Sequence, residues 1–275
     1  MELTKHVTLG VYLPTQSLVH RLDPRTKILI SAFLVILAFY VETYTGYAFY
    51  LGFCYWGLHL CRIPFSFALK GFKPMLPILI VMWIFQLFLY TTPQAEVLYS
   101  VWLLEITDAG LRMGNIIVLR VLVLYSIVTL LTFTTSMVEL TYGMEALLQP
   151  FRKVGVPAQE LAMVMVIALR FVPTLAEELE KIVKAQMARG VAFDRGNFLR
   201  RAKSIFGVFL PLFVNAYKRG EDLIVAMEAR NYTGGAGRTK MKHLKMSRRD
   251  LMAAGVILVF SILLMTLVRY LPPPY

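Results

Sequence analysis

Residues Leu251–Val268 read LMAAGVILVFSILLMTLV, an apolar run without a single charged side chain. A helix that crosses the hydrocarbon core of a bilayer needs roughly 20 mostly apolar residues. Four further runs approach that length and composition: 27–42, 45–60, 74–90 and 113–133. This pattern predicts an all-α fold, a polytopic membrane helical bundle.

The composition supports lipid as the main solvent. The chain is 57% apolar and 17% charged, whereas soluble domains are usually about 45–50% apolar and about 25% charged. The net charge of +12 is concentrated, because residues 181–249 contain 16 of the 29 Lys and Arg but only 4 acids. Cytoplasmic loops of membrane proteins collect Lys and Arg in this way, so the charge does not require a nucleic-acid partner.

The same charge asymmetry predicts an orientation with the N-terminus inside. The outer segments 43–46 and 91–112 then hold one basic residue, Arg112, against three acids. We predict four spans in 1–134, a cytoplasmic coupling region with two long amphipathic helices in 135–249, and a final span in 250–275. Two shorter apolar runs, 161–169 and 205–216, are assigned to a cytoplasmic or membrane-surface layer.

Local patterns predict several details. Asp23 and Pro24 suit the cap and first position of a helix, and the alternating Val97, Tyr99, Val101 and Leu103 indicate a hairpin. Cys54 and Cys61 match no zinc or redox spacing and are expected as buried thiols.

One charge falls inside a predicted span. Arg120 is costly there, and we expect it to pair across helices, with Glu139 or Glu160 as candidates, or to reach the interface. Structural pairing is favoured over a transport role.

Two amphipathic helices are expected in the 135–249 region. Thr174 and Glu177, after Pro173, favour a helix start or a kink, and the helix ends at Ala188-Arg189-Gly190. The second follows Pro211 and ends at Ala229-Arg230-Asn231. Gly and Asn both accept the left-handed conformation that stops a helix.

An arginine at one helix end is explained by the helix dipole alone. Two such ends on successive helices weaken that explanation, because a planar guanidinium also suits a bidentate grip on partner carboxylates. The small alanine before each arginine lets a partner approach closely.

Four segments together resemble the T component, the transmembrane coupling subunit, of energy-coupling factor transporters. They are Ser17–Lys27 (SLVHRLDPRTK), Val156-Pro157 with Ala168–Pro173 (ALRFVP), Ala185–Gly190 (AQMARG) and Ala226–Tyr232 (AMEARNY). The second signature often ends in Gly, so Asn231 is a mild departure. The N-terminal part resembles the group whose T component is shared among several substrate-binding subunits.

The resemblance implies a non-catalytic subunit of an ATP-driven importer for vitamins or trace metals in the plasma membrane. Its implied partners are two ABC-type ATPases, which dock on Ala188, Arg189, Gly190, Ala229, Arg230 and Asn231. A membrane-embedded S component binds the substrate, without a cofactor or metal on this chain. The residues expected to contact the S component are Leu175, Leu179, Ile182, Val183, Met187, Ile224 and Met227.

The alternative is a stand-alone secondary transporter or permease with its own midplane site, which needs polar residues in the spans. The third span offers only Gln86, and the fifth Ser261 and Thr266. A membrane enzyme is a third class, but the zinc-protease, serine-hydrolase and phosphate-loop motifs are absent from the sequence.

Overall fold

The computed structural model describes residues 13, 15, 17–64, 71–89, 97–101, 104–191, 193, 198–232, 244 and 246–270, with only the backbone for 97–101, 104–106 and 198–201. Its helices are α1 (Pro24–Phe39), α2 (Tyr44–Leu60), α3 (Leu76–Leu89), α4 (Asp108–Thr134), α5 (Met137–Leu148), α6 (Ala158–Ala188), α7 (Phe198–Ala229) and α8 (Arg248–Tyr270). Short 3-10 turns, Lys73–Met75 and Gln149–Val154, precede α3 and follow α5. The all-α prediction is confirmed, and a small hairpin is the exception.

That hairpin pairs β1 (Val97–Val101) with β2 (Leu104–Thr107) in antiparallel register, Val101 opposite Leu104. The predicted hairpin is thus confirmed for the described strands, while Leu103 lies outside the described residues. Thr107 caps α4 by accepting the Gly110 amide at 3.1 Å.

The chain divides into two compact units. One contains the described residues between Gly10 and Gly143 and between Leu244 and Tyr275, and the other contains those between Met144 and His243. We call them the bundle unit and the α6–α7 unit. The domain boundaries given from sequence remain a prediction.

The core of the bundle unit lies where α1, α2, α4 and α8 meet. Its buried apolar residues include Leu34, Cys54, Ile127 and Leu264. Two tyrosines of α2 reach into this core, and both hydroxyls donate to carbonyls, Tyr50 to Leu34 at 2.6 Å and Tyr47 to Val41 at 2.7 Å. Buried polar groups are costly unless they are paired in this way.

A buried polar cluster joins the ends of three helices in the same unit. Asp23 accepts the Arg25 amide at 2.9 Å, with Pro24 in the first position, as predicted. Asp250, at the start of α8, accepts the backbone amide of Asp23 at 2.7 Å. The Lys27 ammonium donates to the carbonyls of Thr134 at 2.8 Å and His20 at 3.1 Å. The cluster therefore ties the starts of α1 and α8 to the end of α4.

Arg120 is held at the opposite end of α1. Its Nε donates to the Tyr47 hydroxyl at 2.9 Å, its Nη2 to the Val41 carbonyl at 3.5 Å, and its guanidinium lies 5.6 Å from the centre of the Phe39 ring. A cation is favoured beside a helix C-terminus. The structure gives Arg120 a hydroxyl, a carbonyl and a ring as partners where the sequence pointed to Glu139 or Glu160.

Both cysteines are free and buried, as predicted. Burial raises the pKa of the Cys61 thiol to about 11. That thiol therefore stays protonated at neutral pH and behaves as a small apolar group.

Three of the described helices are long and apolar enough to cross a membrane: Asp108–Thr134, Ala158–Ala188 and Arg248–Tyr270. The first and third match predicted spans, whereas α6 was assigned to a surface layer. Helices α1, α2 and α3 have 16, 17 and 14 residues, or roughly 21–26 Å at 1.5 Å per residue. These lengths are near or below the lower end of the roughly 17–25 residues of a spanning helix, and α3 directly continues the 3-10 turn Lys73–Met75.

The sequence also suggested a helix start or a kink after Pro173 and a second helix after Pro211. Helix α6 runs through Pro173 from Ala158, and α7 runs through Pro211 from Phe198. A helix start after Pro173 was therefore wrong, and Thr174 bonds back to the Phe171 carbonyl at 2.8 Å.

Asp250→Ala should destabilise the bundle unit by about 1–3 kcal/mol, because the amides of Asp23 and Ser247 lose a buried acceptor. Chemical unfolding of the detergent-solubilised chain, followed by circular dichroism, measures the effect. Asp108→Ala is the matched control, because Asp108 also begins a helix but forms only an exposed pair with Arg112, worth under about 1 kcal/mol. Equal losses in the two variants would contradict the role given to Asp250.

Candidate functional site

The end of α6 is a helix stop made by a left-handed glycine. Gly190 has a φ of +85°, and its amide donates to the Met187 carbonyl at 3.0 Å. The next amide, Val191, reaches back to the Gln186 carbonyl at 3.1 Å. This pair of bonds is the Schellman motif, which satisfies the last carbonyls of a helix. Arg189 occupies the C-cap position.

The end of α7 repeats the arrangement residue for residue. Asn231 has a φ of +58° and donates to the Glu228 carbonyl at 2.8 Å, and the Tyr232 amide reaches the Met227 carbonyl at 3.0 Å. Arg230 stands where Arg189 stands in α6. The predicted left-handed positions of Gly190 and Asn231 are both confirmed.

The arginines and their neighbours are accessible at both ends. Ala188, Arg189 and Gly190 are exposed, and so are Ala229, Arg230 and Asn231. We call each set a tip, the α6 tip and the α7 tip. In each tip the Schellman turn holds the backbone that carries the arginine. The residues directly before and after that arginine are small.

Helices α6 and α7 pack side by side in the α6–α7 unit. Glu178 is the central contact, accepting from Asn215 Nδ2 at 2.9 Å and pairing with Arg219 at 3.0 Å. Farther along, Gln186 Nε2 donates to the Gly207 carbonyl at 3.3 Å. From the first contact to the second, the residue number rises by eight in α6 (178 to 186) and falls by eight in α7 (215 to 207). The two helices are therefore antiparallel.

The Gly207 carbonyl is available because of Pro211. In an α-helix that carbonyl would accept the amide four residues later, but proline has no N–H. The vacant acceptor is the one that Gln186 uses. Pro211 thus leaves free the α7 carbonyl that bonds to Gln186, which lies three residues before Arg189 of the α6 tip.

The antiparallel arrangement puts the two tips at opposite ends of the pair. Extending the register of these contacts along straight helices puts Arg230 level with about residue 163 of α6, some 26 residues from Arg189. At 1.5 Å per residue that separation is roughly 40 Å along the axis.

The residues proposed for S-component contact occupy two different places. Leu175, Leu179 and Ile182 are half-buried and share the side of α6 that carries Glu178 and Gln186, the side facing α7. Val183 and Met227 are half-buried as well, whereas Met187 and Ile224 are exposed.

An exposed stripe on α7 was largely missing from the sequence-based site. At 100° per residue its members fall on one side of the helix, and each is more than half exposed: Phe206, Phe209, Leu210, Phe213, Tyr217 and Ile224. Asn215, Arg219 and the buried Val208 mark the opposite side of α7, which faces α6. Helical spacing identified Phe213, Tyr217 and Ile224, but the spacing alone does not reveal which side remains uncovered.

Comparison with known proteins identifies the family. A family model described as cobalt transport protein (CbiQ) matches residues 15–242. Proteins called energy-coupling factor transporter transmembrane protein are similar along nearly the whole chain. The one from Thermosediminibacter oceani is 46% identical, covering 94% of this chain and 98% of the relative. The one from Bacillus subtilis is 44% identical, covering 93% and 96%.

This chain belongs to the family of energy-coupling factor transporter transmembrane proteins. A third relative, from Acidaminococcus fermentans, is 42% identical and covers 94% of this chain and 95% of the relative. The resemblance drawn from the four sequence segments is confirmed, and the chain is a membrane component of a transporter family.

The two kinds of helix glycine should respond oppositely to alanine. Gly190→Ala should loosen the α6 tip, because a left-handed alanine costs about 1–2 kcal/mol. Gly220→Ala, within α7 and with open space around its Cα, should stabilise α7 by about 0.5–1 kcal/mol. Hydrogen exchange at the amides of 187–191 and 218–224 measures both. Faster exchange at Gly220→Ala, or no change at Gly190→Ala, would contradict the two assignments.

Proposed function

We propose that this chain couples two ABC-type ATPases to a substrate-binding S component in an importer of vitamins or trace metals. The observation that supports this most is the pair of similar arginine-bearing tips, Ala-Arg-Gly and Ala-Arg-Asn, at opposite ends of an antiparallel helix pair. ATP hydrolysis belongs to the ATPases, and substrate recognition belongs to the S component. This chain transmits motion from one to the other.

The geometry of the tips supports one ATPase for each. A Schellman turn holds the backbone before each arginine in one conformation, so the guanidinium starts from a defined position. Its fork of donors matches carboxylates in a partner groove. A separation of roughly 40 Å along the helix axis leaves room for two separate proteins.

The charge and hydropathy of α6 support a cytoplasmic, membrane-adjacent place for the coupling region. Its most apolar window has a mean hydropathy of 1.5, against 2.5 for α4 and 2.7 for α8. Its second half carries Glu177, Glu178, Glu180, Lys181 and Lys184. Charges of this density are costly inside hydrocarbon, so we place α6 with its apolar first half against the membrane and its second half in water.

The exposed stripe of α7 supports a second, apolar partner. Contiguous apolar surfaces of this extent, flanked by polar residues, mark interaction sites. Met187, Ile224 and the stripe face outward for direct contact, while Leu175, Leu179, Ile182 and Val183 hold the pair together beneath it. Met227 lies between the stripe and the α7 tip, where the two partners would come closest.

Arg189→Glu combined with Arg230→Glu should abolish co-purification of both ATPases, because each tip then repels the carboxylates it binds. Tagged transporter complex is purified from membranes and its subunits are quantified. Lys181→Glu with Lys218→Glu is the matched control, with the same charge change on exposed positions of α6 and α7. Arg189→Lys keeps the charge but loses the fork, and should weaken one ATPase by about tenfold or more.

An intact complex in the double arginine variant would refute the docking assignment. Loss in the lysine control as well would show that the net charge of the unit matters, and not the tips.

Ile224→Asp combined with Phe213→Asp should remove the S component from the purified complex and leave both ATPases bound. A carboxylate buried in an apolar interface costs several kcal/mol, so binding should fall at least a hundredfold. Lys218→Asp, on the same helix but away from the stripe, is the control. Retention of the S component would move its binding surface elsewhere, while loss of the ATPases would show that the stripe and the tips are not separate sites.

A further inference from the structure

A groove in the bundle unit is not used by the proposed coupling mechanism. It has a volume of about 460 Å³ and lies among α1, α2, α4, α8 and the segment before α1. Its floor consists of buried core residues, Leu34, Cys54 and Ile127. Its rim includes Trp56, Met252 and Val256, which are all exposed. The groove is therefore open along one side.

The groove is lined by apolar side chains along most of its length and by basic side chains at one end. Nearly all of it is apolar, and its two charged side chains, Lys27 and Arg249, are both basic. Both stand at the end where α1 and α8 begin and α4 ends. Arg249 is exposed, and among the described residues no carboxylate pairs with it. One end of the groove thus carries the exposed guanidinium of Arg249, while the charge of the buried Lys27 is offset by Asp23 and Asp250. The remainder of the groove is hydrocarbon-like.

The groove runs along the helices. From Lys27 to Leu34 on α1, and from Thr134 to Ile127 on α4, it spans seven residues, or roughly 10 Å. That length is within the roughly 15 Å of hydrocarbon in one leaflet. A molecule lying in it would have its polar group at the membrane surface and its tail along the protein.

The arrangement of the lining favours one kind of occupant. An apolar groove that runs along the helices from a single exposed guanidinium matches a lipid, which has a charged headgroup at one end of a hydrocarbon tail. An acyl chain can enter sideways past the open rim.

We propose that this groove binds one acyl chain of an anionic phospholipid, with the lipid phosphate held by the exposed Arg249 guanidinium. A guanidinium binds phosphate oxygens through two parallel hydrogen bonds. Trp56 stands at the rim near the end of α2, and indole rings favour the membrane interface. The bound lipid completes the apolar packing between α2 and α8 on the membrane-facing side.

The test uses the full purified chain and two lipids with the same acyl chains, phosphatidylglycerol and phosphatidylcholine. Native mass spectrometry of the chain in detergent counts bound lipids as each is added. The first phosphatidylglycerol should bind at several-fold lower concentration than the first phosphatidylcholine. Arg249→Gln should reduce this preference about fivefold, the value of one basic residue near a lipid surface. Arg248→Gln, exposed and outside the lining, should change it less than twofold.

A second pair of variants tests the chain-binding part. Ala253→Phe places a ring in the groove and should lower the binding of both lipids about tenfold, whereas Ala254→Phe, on the exposed side of α8, should leave both unchanged. Circular dichroism and gel filtration establish that each variant is folded. Should Ala253→Phe fail to fold, Val256→Phe at the exposed rim replaces it, with Val259→Phe as its control.

Three results would overturn the proposal. Equal affinity for the two lipids would show that the chain does not recognise the headgroup. Equal effects of Arg248→Gln and Arg249→Gln would show that the preference comes from general surface charge and not from Arg249. Unchanged lipid binding in Ala253→Phe would place the chain elsewhere, and loss of a partner subunit from the complex in that variant would assign the groove to protein. None of these results depends on the ATPase-docking assignment.

Discussion

Every helix leaves amides at its start and carbonyls at its end without partners inside the helix, and in or beside a membrane such groups cannot all turn to water. Satisfying them is the constraint on which this structure depends. In the bundle unit, side chains do it across long separations in sequence. Asp250 accepts from the Asp23 amide, and Lys27 donates to the Thr134 carbonyl. These bonds hold the helix ends of the bundle unit in place.

The α6–α7 unit meets the same constraint locally, with backbone bonds. Each Schellman turn closes its helix within six residues, without help from another element. The shape of each tip therefore depends on bonds within its own turn. A surface that must present an arginine to another protein gains from this, because little ordering entropy remains to be lost on binding.

Local chemistry was predictable from sequence, and pairing across the fold was not. The Asp23 cap, the hairpin and the left-handed Gly190 and Asn231 all depend on residues within a few positions. The partners of Arg120 lie more than 70 residues away, and a hydroxyl with a carbonyl replaced the expected carboxylate.

The helix breakers show how tertiary contacts override local rules. Pro173 and Pro211 each remove one helical hydrogen bond, yet α6 and α7 continue through them. On either side of Pro211, Gly207 and Asn215 both bond to α6. The exposed stripe of α7 shows the converse limit. Periodicity identifies an apolar side, but only the positions of Asn215 and Arg219 reveal which side is already used within the pair.

The contact between Gln186 and the Gly207 carbonyl makes the residue types at positions 186 and 211 depend on each other, although they lie 25 residues apart in the sequence. The acceptor is a backbone atom, so any residue at 207 supplies it, but only proline at 211 leaves it vacant. An alanine at 211 would restore the helical donor and compete with the glutamine amide for the same oxygen. We therefore expect positions 186 and 211 to covary among relatives, with glutamine and proline gained or lost together.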